Sequence, residues 1–350
     1  MRARIATSLL FLMLTLGLVL APNFSAHAET QGFLSVRGTQ IVNADQEVVL
    51  LRGVNYPAYE RGDSYDGPRL HSEADYAKFA RNGFNIVRLP ISWALLEPAA
   101  GIFDISYLTR YVNRDVQWAK KYGLYIVLDM HQYKWAEKFG GSGVPDWMVK
   151  QYAPTEAGMR KAVSDFWADD TLQDHFLNVW TQIARIYANE TTIAGYDILN
   201  EPWVYTSVIP YLNATYVDTF YLKVVKSIRT VDPNHIIILE PANINTFKFP
   251  LKENIVWSPH FYPLAFASRY SSEDVKRLEA DLAAKYKRYV VELGSPMWIG
   301  EFGAFMDDQT CRNNWLQDAI GLFDKYQVGW TWWAFPEDGR RSIPNCLSIG

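Results

Sequence analysis

Two glutamates in this sequence are candidates for a catalytic pair. Glu201 lies in the motif Leu199-Asn200-Glu201-Pro202 and Glu301 lies in Gly300-Glu301-Phe302-Gly303, and each motif ends a short apolar run. Hydrolysis of a glycosidic bond uses two carboxyl groups of this kind. One attacks the anomeric carbon, and the other protonates the departing oxygen and later activates water. The two motifs therefore predict a glycoside-cleaving centre if the fold brings both carboxylates together.

Six further candidates share one feature, which is that each follows or ends an apolar run. They are Arg88, His131, Asn200, His260, Tyr262 and Trp333. A charge at the end of a buried strand is costly unless it is hydrogen-bonded or takes part in chemistry. The polar members would orient the glutamates and bind sugar hydroxyls, and the tryptophan would offer a flat apolar face to a sugar ring. Taken singly, each could instead be a hydrogen-bonded core or rim residue.

Eight short apolar runs must position these residues. The runs cover Val48 to Val54, Phe84 to Leu89, Leu124 to Met130, Ile193 to Leu199, Ile236 to Leu239, Ile255 to Phe261, Met297 to Phe302 and Val328 to Phe335. They lack polar–apolar alternation, which is typical of strands buried on both faces of a parallel sheet. Helical patterns lie between them, over Tyr107 to Tyr122, Leu172 to Ala188, Tyr216 to Thr230, Ser272 to Glu292 and Asn314 to Tyr326. This alternation predicts an α/β fold, a (β/α)8 TIM barrel whose active site lies at the carboxyl ends of the strands.

An N-terminal β-hairpin is expected to close the bottom of this barrel. It would span Phe33 to Val49, with Asn43-Ala44-Asp45 as a turn between segments rich in Val and Ile. No repeat and no Ser/Gly/Pro linker divides the rest of the chain. We therefore expect residues 29–350 to form one domain.

Composition limits the partners. Among 350 residues there are 13 Trp, 21 Tyr and 18 Phe, and the formal net charge is −4. The many tryptophans favour some exposed rings for binding. Because no Lys/Arg-rich run is present, nucleic acid is not an expected partner.

Residues 1–28 have the pattern of a secretory signal peptide. Arg2 and Arg4 precede the apolar stretch Ile5 to Leu20, and Ala26-His27-Ala28 is a small-x-small cleavage pattern. An uncleaved anchor is the alternative, although the stretch is short for a bilayer span. Cleavage would leave 32 basic and 38 acidic residues, hence a charge of −6, because two arginines are lost from the original 34 basic residues. We expect a secreted or periplasmic monomer with no stable membrane insertion.

Two cysteines, Cys311 and Cys346, are the only ones in the sequence. Export would allow a disulfide between them, and two free thiols are the alternative. Their spacing does not suit a metal site. Nor do His131 and His260, which lie on different predicted strands without a helical His pair. Gly140-Gly141-Ser142-Gly143 lacks the Lys-Ser/Thr of a phosphate-binding loop, so no cofactor and no metal are expected.

The motifs at the strand ends resemble glycoside hydrolase family 5, the cellulase-like retaining glycosidases. The resemblance runs from Gly53 to Phe335 and rests on six motifs, which are Val87-Arg88-Leu89-Pro90, Asp129-Met130-His131-Gln132, Tyr196 to Pro202, His260-Phe261-Tyr262, Trp298 to Gly303 and Trp332-Trp333. It implies Glu201 as acid/base and Glu301 as nucleophile. It also implies that the other six candidates line the subsite for the reacting sugar, with Asn200 on the 2-hydroxyl and Tyr262 holding the nucleophile.

Substrate identity is less determined. Asp129-Met130-His131-Gln132, Gly143 to Trp147 and the segment from Phe166 to Glu201 are similar to endoglycoceramidase-like members, which cut glycans from ceramide. Those enzymes usually carry a C-terminal β-sandwich, whereas this sequence runs 15 residues past Phe335, from 336 to 350. We therefore expect a β-1,4-glucan substrate, with glycosphingolipids or β-mannans as alternatives. A barrel that binds carbohydrate without cleaving it is the alternative from another class, but it would not need both glutamates.

The longest connection without a clear period runs from Gln132 to about Gly158. It contains Tyr133, Trp135, Phe139 and Trp147, and the segment after Glu201 adds Trp203 and Tyr205. These rings would either stack on sugars or pack the loops onto the barrel.

For the catalytic pair itself, double displacement requires an ionised Glu301 and a protonated Glu201. We therefore expect Arg88 and Tyr262 to favour the charged nucleophile and mutual repulsion to raise the pKa of Glu201.

Overall fold

A computed structural model describes residues 32–57, 71–202, 214–241 and 253–335, together with Pro344 and Leu347. The predicted signal segment, Cys346, Trp203 and Tyr205 lie outside these residues. Within them, eight parallel strands form a sheet in the order β8-β7-β6-β5-β4-β3-β10-β9. The strands are β3 Arg52–Asn55, β4 Ile86–Ile91, β5 Tyr125–Met130, β6 Ile193–Asp197, β7 Ile236–Leu239, β8 Ile255–Trp257, β9 Trp298–Phe302 and β10 Gly329–Trp332.

The two outer strands of this order also meet. Parallel bridges join Trp257 to Met297 and Phe261 to Phe302, and the Phe261 N–H donates to the Glu301 carbonyl at 2.8 Å. The sheet is therefore a nearly closed barrel, and the predicted (β/α)8 architecture is confirmed. β8 ends at Trp257, four residues earlier than the apolar run suggested.

Helices cover the outside of the barrel. They are α1 Glu73–Arg81, α2 Trp93–Leu96, α3 Ile105–Tyr107, α4 Asn113–Lys121, α5 Asp146–Val149, α6 Glu156–Ala168, α7 Asp170–Tyr187, α8 Ala214–Arg229, α9 Val275–Tyr286 and α10 Gln309–Tyr326. Wide π-helical turns at Leu108–Val112 and Lys287–Glu292 extend α4 and α9. Local caps explain two boundaries, since Ser72 accepts from the Asp75 N–H and Asp169 accepts from the Thr171 and Leu172 N–H groups. Four of these helices, α1, α2, α5 and α6, lie outside the helical patterns named from the sequence.

A small antiparallel sheet lies at the N-terminal end, as expected. It pairs β1 Ser35–Arg37 with β2 Gln40–Val42. The turn between β1 and β2 is at Gly38 and Thr39, where Gly38 has a φ of +61°. The predicted turn at Asn43-Ala44-Asp45 is also present, and beyond it Val48 forms an antiparallel bridge to Val42. Leu34 and Ile41 pack with the lower barrel residues, so the hairpin covers the barrel bottom.

Among the described residues, no helix has both the length and the hydropathy that crossing a membrane requires.

Candidate active site

The barrel mouth brings the eight predicted site residues together. Arg88 and Glu301 lie within strands β4 and β9, and the others follow strand ends: His131 after β5, Asn200 and Glu201 after β6, His260 and Tyr262 after β8, and Trp333 after β10. Parallel strands in a barrel have their carboxyl ends at one rim. Residues far apart in sequence therefore converge there.

The two glutamates face each other across this mouth. A carboxylate oxygen of Glu201 lies within 4.8 Å of a carboxylate oxygen of Glu301. Retaining glycosidases separate their carboxyl groups by about 5–5.5 Å, and inverting ones by about 6.5–9.5 Å. The close approach of the two carboxylates agrees with the retaining geometry, in which one of them attacks the sugar directly.

Glu301 is buried and tightly held. Its Oε1 accepts from Arg88 Nη1 at 2.9 Å, and its Oε2 accepts from the Tyr262 hydroxyl at 2.9 Å. His260 Nδ1 lies 3.4 Å from the same Oε2. These contacts fix both oxygens, as attack on one carbon atom requires.

Glu201 stands on strained backbone. Its φ is +40°, a left-handed value that a residue with a Cβ adopts at a cost of about 1 kcal/mol or more. Two side chains hold this conformation. Gln132 Nε2 donates to the Asn200 and Glu201 carbonyls at 3.0 and 2.8 Å, and the Glu201 N–H donates to Glu240 Oε2 at 2.6 Å. The result aims the carboxylate toward Glu301.

His260 links the two glutamates, and its charge sets their pKa values. Nδ1 lies 2.8 Å from Glu201 Oε1, and Nε2 lies 3.2 Å from Glu240 Oε1. Although burial lowers the pKa of His260, the charges of Glu240 and Glu301 and the hydrogen bond to Glu201 raise it well above the usual 6.5. The surrounding carboxylates therefore favour the protonated imidazole.

The structure reverses the expected order of the two glutamate pKa values. Burial raises the pKa of Glu301, and the nearby cations His260 and Arg88 only partly oppose it. Burial also acts to raise the pKa of Glu201, but the hydrogen bond and charge of His260 outweigh it, so that pKa is lowered. The reason is geometric, because the imidazolium lies closer to Glu201 than to Glu301.

Four residues outside the predicted set complete the floor of the site. Arg88 contacts Asn55 Oδ1, Asp129 Oδ1, Asp197 Oδ2 and Glu240 Oε1 at 2.8–3.0 Å, in addition to Glu301 and Asn200. The guanidinium is fully buried. Each of the three acids occupies the same place at a strand end as the residues that were singled out. That shared position is the signal that could have identified the three acids. Gln132 was also missed, and its position directly after His131 could have identified it.

His131 and Trp333 form one wall. Their rings stack at 5.2 Å with an interplanar angle of 9°, and Asp129 Oδ2 lies 2.7 Å from His131 Nδ1. The Trp333–Ala334 peptide bond is cis, and the Trp333 N–H donates to the Phe302 carbonyl at 2.8 Å. A broad aromatic face therefore borders the pair of glutamates.

Two groups of side chains have the ligand types and proximity for a cation, namely Glu201, His260 and Glu301, and Asp129, Asp197 and Glu240. In the second group, the Arg88 guanidinium contacts all three carboxylates at 2.8–3.0 Å and supplies the positive charge. In the first group, the cationic His260 supplies it.

A cavity of about 370 Å³ opens beside Glu201. Its walls include Tyr133, Phe139, Pro154, Thr155, Glu156 and Met159, with Gln132 and Lys134. The aromatic residues of the long loop thus divide into two groups. Tyr133 and Phe139 line the cavity, whereas Trp135 is buried against Phe166 and Trp147 donates to the Glu97 carbonyl at 2.9 Å.

These features define a class. A (β/α)8 barrel with glutamates at the carboxyl ends of its fourth and seventh strands, an arginine and two histidines at the mouth and an aromatic wall is a glycosidase scaffold. A model of cellulase, glycosyl hydrolase family 5, matches residues 42–339, and the chain belongs to this family.

Named relatives include enzymes of several specificities. A β-xylosidase of Phanerodontia chrysosporium is 26% identical, covering 89% of this chain and 72% of that protein. An endoglycoceramidase of Cyanea nozakii is 24% identical, covering 90% and 70%. The crystal structure of an endogalactoceramidase superposes with a TM-score of 0.73 at 25% identity, covering 89% of this chain and 79% of that one. The chain is therefore a glycosidase acting on O-glycosyl bonds of glycans or glycolipids.

Proposed function

We propose that this protein is a retaining β-glycosidase that cleaves β-1,4-linked glycans by double displacement. Glu301 attacks the anomeric carbon while Glu201 protonates the departing oxygen, and water then releases the glycosyl-enzyme with Glu201 as base. The observation that carries the proposal is the separation of less than 4.8 Å between carboxylate oxygens of the two glutamates. A binding protein without activity would not need both acids so placed.

The first step requires the proton on Glu201, whose pKa the hydrogen bond and charge of His260 lower. Substrate binding supplies the change. The Glu201 side chain is still 27% exposed, and a sugar that covers it would remove this solvent and raise its pKa. A hydroxyl that takes the place of His260 on Glu201 would act in the same direction.

Proton NMR of the first-formed product tests the mechanism. We expect the β-anomer from a β-linked substrate, which then mutarotates. Azide should also restore turnover of an activated aryl glycoside by Glu201→Ala, because a good leaving group needs no acid and azide replaces base-activated water. Inversion in the wild type would rule out Glu301 as nucleophile.

A second candidate substrate class is glycosphingolipids, and the cavity beside Glu201 favours it. Glu201 must reach the leaving oxygen, so the leaving group lies on the side of the site that Glu201 borders. There it would meet Tyr133, Phe139 and Met159, which suit an apolar group better than a second sugar. The similarity to an endoglycoceramidase and an endogalactoceramidase supports the same class.

A substrate panel separates the two classes. Reducing-sugar release would be measured on β-glucan, β-mannan and gangliosides, with Phe139→Ala and, as control, Val291→Ala at a site 67% exposed on the turn before β9. Glucan cleavage that is unaffected by Phe139→Ala favours the first class. Ganglioside cleavage that is weakened only by Phe139→Ala favours the second.

We also propose that the protein is exported as a monomer, with its mature chain beginning at Glu29 and a Cys311–Cys346 disulfide. Mass spectrometry of the secreted protein, sedimentation and non-reducing peptide mapping test these three points. A mature chain that retains Ile5 to Leu20, or two thiols that can be alkylated in the native protein, would contradict them.

A further inference from the structure

The charges at the barrel mouth do not balance. Five carboxyl groups form one cluster: Glu201, Glu301, Asp129, Asp197 and Glu240. The cations that contact them are Arg88, His131 and His260. Even with both imidazoles protonated, these described residues supply three positive charges for five acids. Ionised groups without a counter-charge are not stable in a buried site and take up a proton instead.

The proposed double displacement accounts for one of the two missing protons, because Glu201 must carry it. A second proton must then reside on another acid. The three acids beneath the catalytic pair are candidates, and none of them is more than 2% exposed. Counting the donors that each acid accepts from shows which anion is least stabilised.

Asp129 and Glu240 each contact more than one group that stabilises a negative charge. Asp129 Oδ2 lies 2.7 Å from His131 Nδ1, and its Oδ1 forms an ion pair with Arg88 at 3.0 Å. Glu240 accepts from Arg88 at 2.8 Å and from the Glu201 N–H at 2.6 Å, and His260 Nε2 lies 3.2 Å from it. Asp129 therefore has one hydrogen bond and one further cation, and Glu240 has two hydrogen bonds and one further cation.

Among the described residues, Asp197 has one hydrogen-bond donor. Its Oδ2 accepts from Arg88 Nε at 2.9 Å, and its Oδ1 is buried with no hydrogen-bond partner. The other acids of the floor lie close to it, since Asp129, Asp197 and Glu240 each place an oxygen within 4.8 Å of the others. Asp129 Oδ1 is also without a hydrogen-bonded donor. A proton on Asp197 would turn one unpartnered acceptor into a donor in a region rich in acceptors.

We propose that Asp197 is a neutral carboxylic acid in the working enzyme, and that its proton leaves the charge of Arg88 available to hold Glu301 ionised. Asp197 is thus a positioning residue that acts through Arg88. The argument rests on the proposed function only for the proton assigned to Glu201.

The surroundings agree with this assignment. Burial raises the pKa of Asp197 well above its usual value, and the charges of Glu240 and Asp129 oppose the lowering effect of Arg88. From α8, Tyr221 faces the same group and donates to the Glu240 carbonyl at 2.7 Å. Burial raises the pKa of Tyr221 also, so this residue adds no charge.

Infrared spectroscopy of the intact protein in D2O tests the proposal directly. A protonated carboxylic acid has a carbonyl stretch that is separate from carboxylate and amide bands. We expect this absorption in the wild type at neutral pH, with one component that is lost in Asp197→Asn and persists in Asp129→Asn, Glu240→Gln and Glu201→Gln. A wild type without the absorption, or absorption that is unchanged in Asp197→Asn, overturns the proposal.

The pH profile provides a second readout. Asparagine mimics a neutral aspartic acid, so Asp197→Asn should shift the acidic limb of kcat/KM by less than about one pH unit. Glu240→Gln removes a real negative charge and should shift it by more. Asp197→Ala should lose activity that Asp197→Asn keeps. This difference would show that the shape and the donor of the side chain matter rather than its charge. If Asp197→Asn and Glu240→Gln shift the acidic limb of kcat/KM equally, the proposal is contradicted. The infrared result does not depend on whether the enzyme retains the anomeric configuration, so it can fail or hold separately from the proposed function.

Discussion

The two ends of the barrel differ in chemistry although the same strands build both. At the lower end, interior side chains are apolar, and they pack with the hairpin residues Leu34 and Ile41. At the mouth, the interior side chains are charged. Three strands show the change within two residues, from Ile86 to Arg88, from Val127 to Asp129 and from Ile238 to Glu240.

A period of two explains how one strand serves both ends. Residues i and i+2 point to the same side of a strand, so the residue two positions beyond a core residue also faces the interior. In the lower layer the interior side chain is apolar, and its removal from water stabilises the folded state. In the upper layer it buries charge, which is tolerated because Arg88 and the histidines pair with the acids. Stability and activity should therefore separate along the barrel axis.

The largest expected effect is on turnover at the mouth. Glu301→Ala should lower kcat by at least about 10³-fold, because no other carboxylate can form the glycosyl-enzyme. Its melting temperature should change little, since one of the acids that compete for Arg88 is removed. Kinetics with an aryl glycoside and thermal unfolding measure both. The exposed control Glu292→Ala should behave as wild type, and near-normal activity of Glu301→Ala would refute the assignment.

Arg88→Met should damage both properties. It removes the cation that contacts four buried acids, and breaking such a pair costs about 3–5 kcal/mol of unfolding free energy. Activity should also disappear because Glu301 loses one of its two donors. Denaturant unfolding and kinetics measure the two effects. Arg185→Met on the exposed face of α7 is the matched control, and an Arg88 variant as stable as this control would mean that the acids are already neutral.

Ile238→Ala should affect stability alone. The side chain is 3% exposed in the lower layer, and removing it should cost about 2–5 kcal/mol of unfolding free energy. We expect kcat/KM at 25 °C to stay near the wild-type value. Ile186→Ala, at a site 40% exposed, should cost much less. A large loss of kcat/KM in folded Ile238→Ala would show that the two layers are coupled.

The smallest expected effect concerns a charged pair outside the mouth. The hydrogen bonds and charge of His235, together with the Tyr196 hydroxyl, overcome burial and lower the pKa of Asp232 to about 2. A carboxyl with a depressed folded-state pKa stabilises the protein above its unfolded value of about 3.9, and this contribution is lost as the pH falls toward 2. Asp232→Asn should therefore cost of the order of 1 kcal/mol at pH 7 and progressively less below pH 4.

Denaturant unfolding at pH 7 and pH 3 measures this difference, with the exposed Asp45→Asn as control. A cost for Asp232→Asn that is the same at both pH values would show that the aspartate acts through packing rather than charge.

Much of the fold followed from local pattern. The eight apolar runs correspond to the eight barrel strands, because a strand buried on both faces needs uninterrupted apolar residues. Boundaries were less accurate. The run through Phe261 ends as a strand at Trp257 because the chain then turns to bridge β9. Helix α6 was hidden because its segment follows directly on a long loop whose glycines and aromatics dominate the pattern.

The sequence by itself determined the types of the catalytic groups and their order along the chain, since carboxylates, histidines and an arginine at strand ends identify a barrel-mouth site. Only the tertiary structure decided how these groups act on each other. The strained φ of Glu201, the contact of His260 with Glu201 and the four acids around Arg88 all join residues from different strands. Electrostatic interaction depends on distance and burial, which are absent from a linear pattern. This is why the order of the two glutamate pKa values, and the proton that we propose on Asp197, follow from the tertiary structure and not from the sequence pattern.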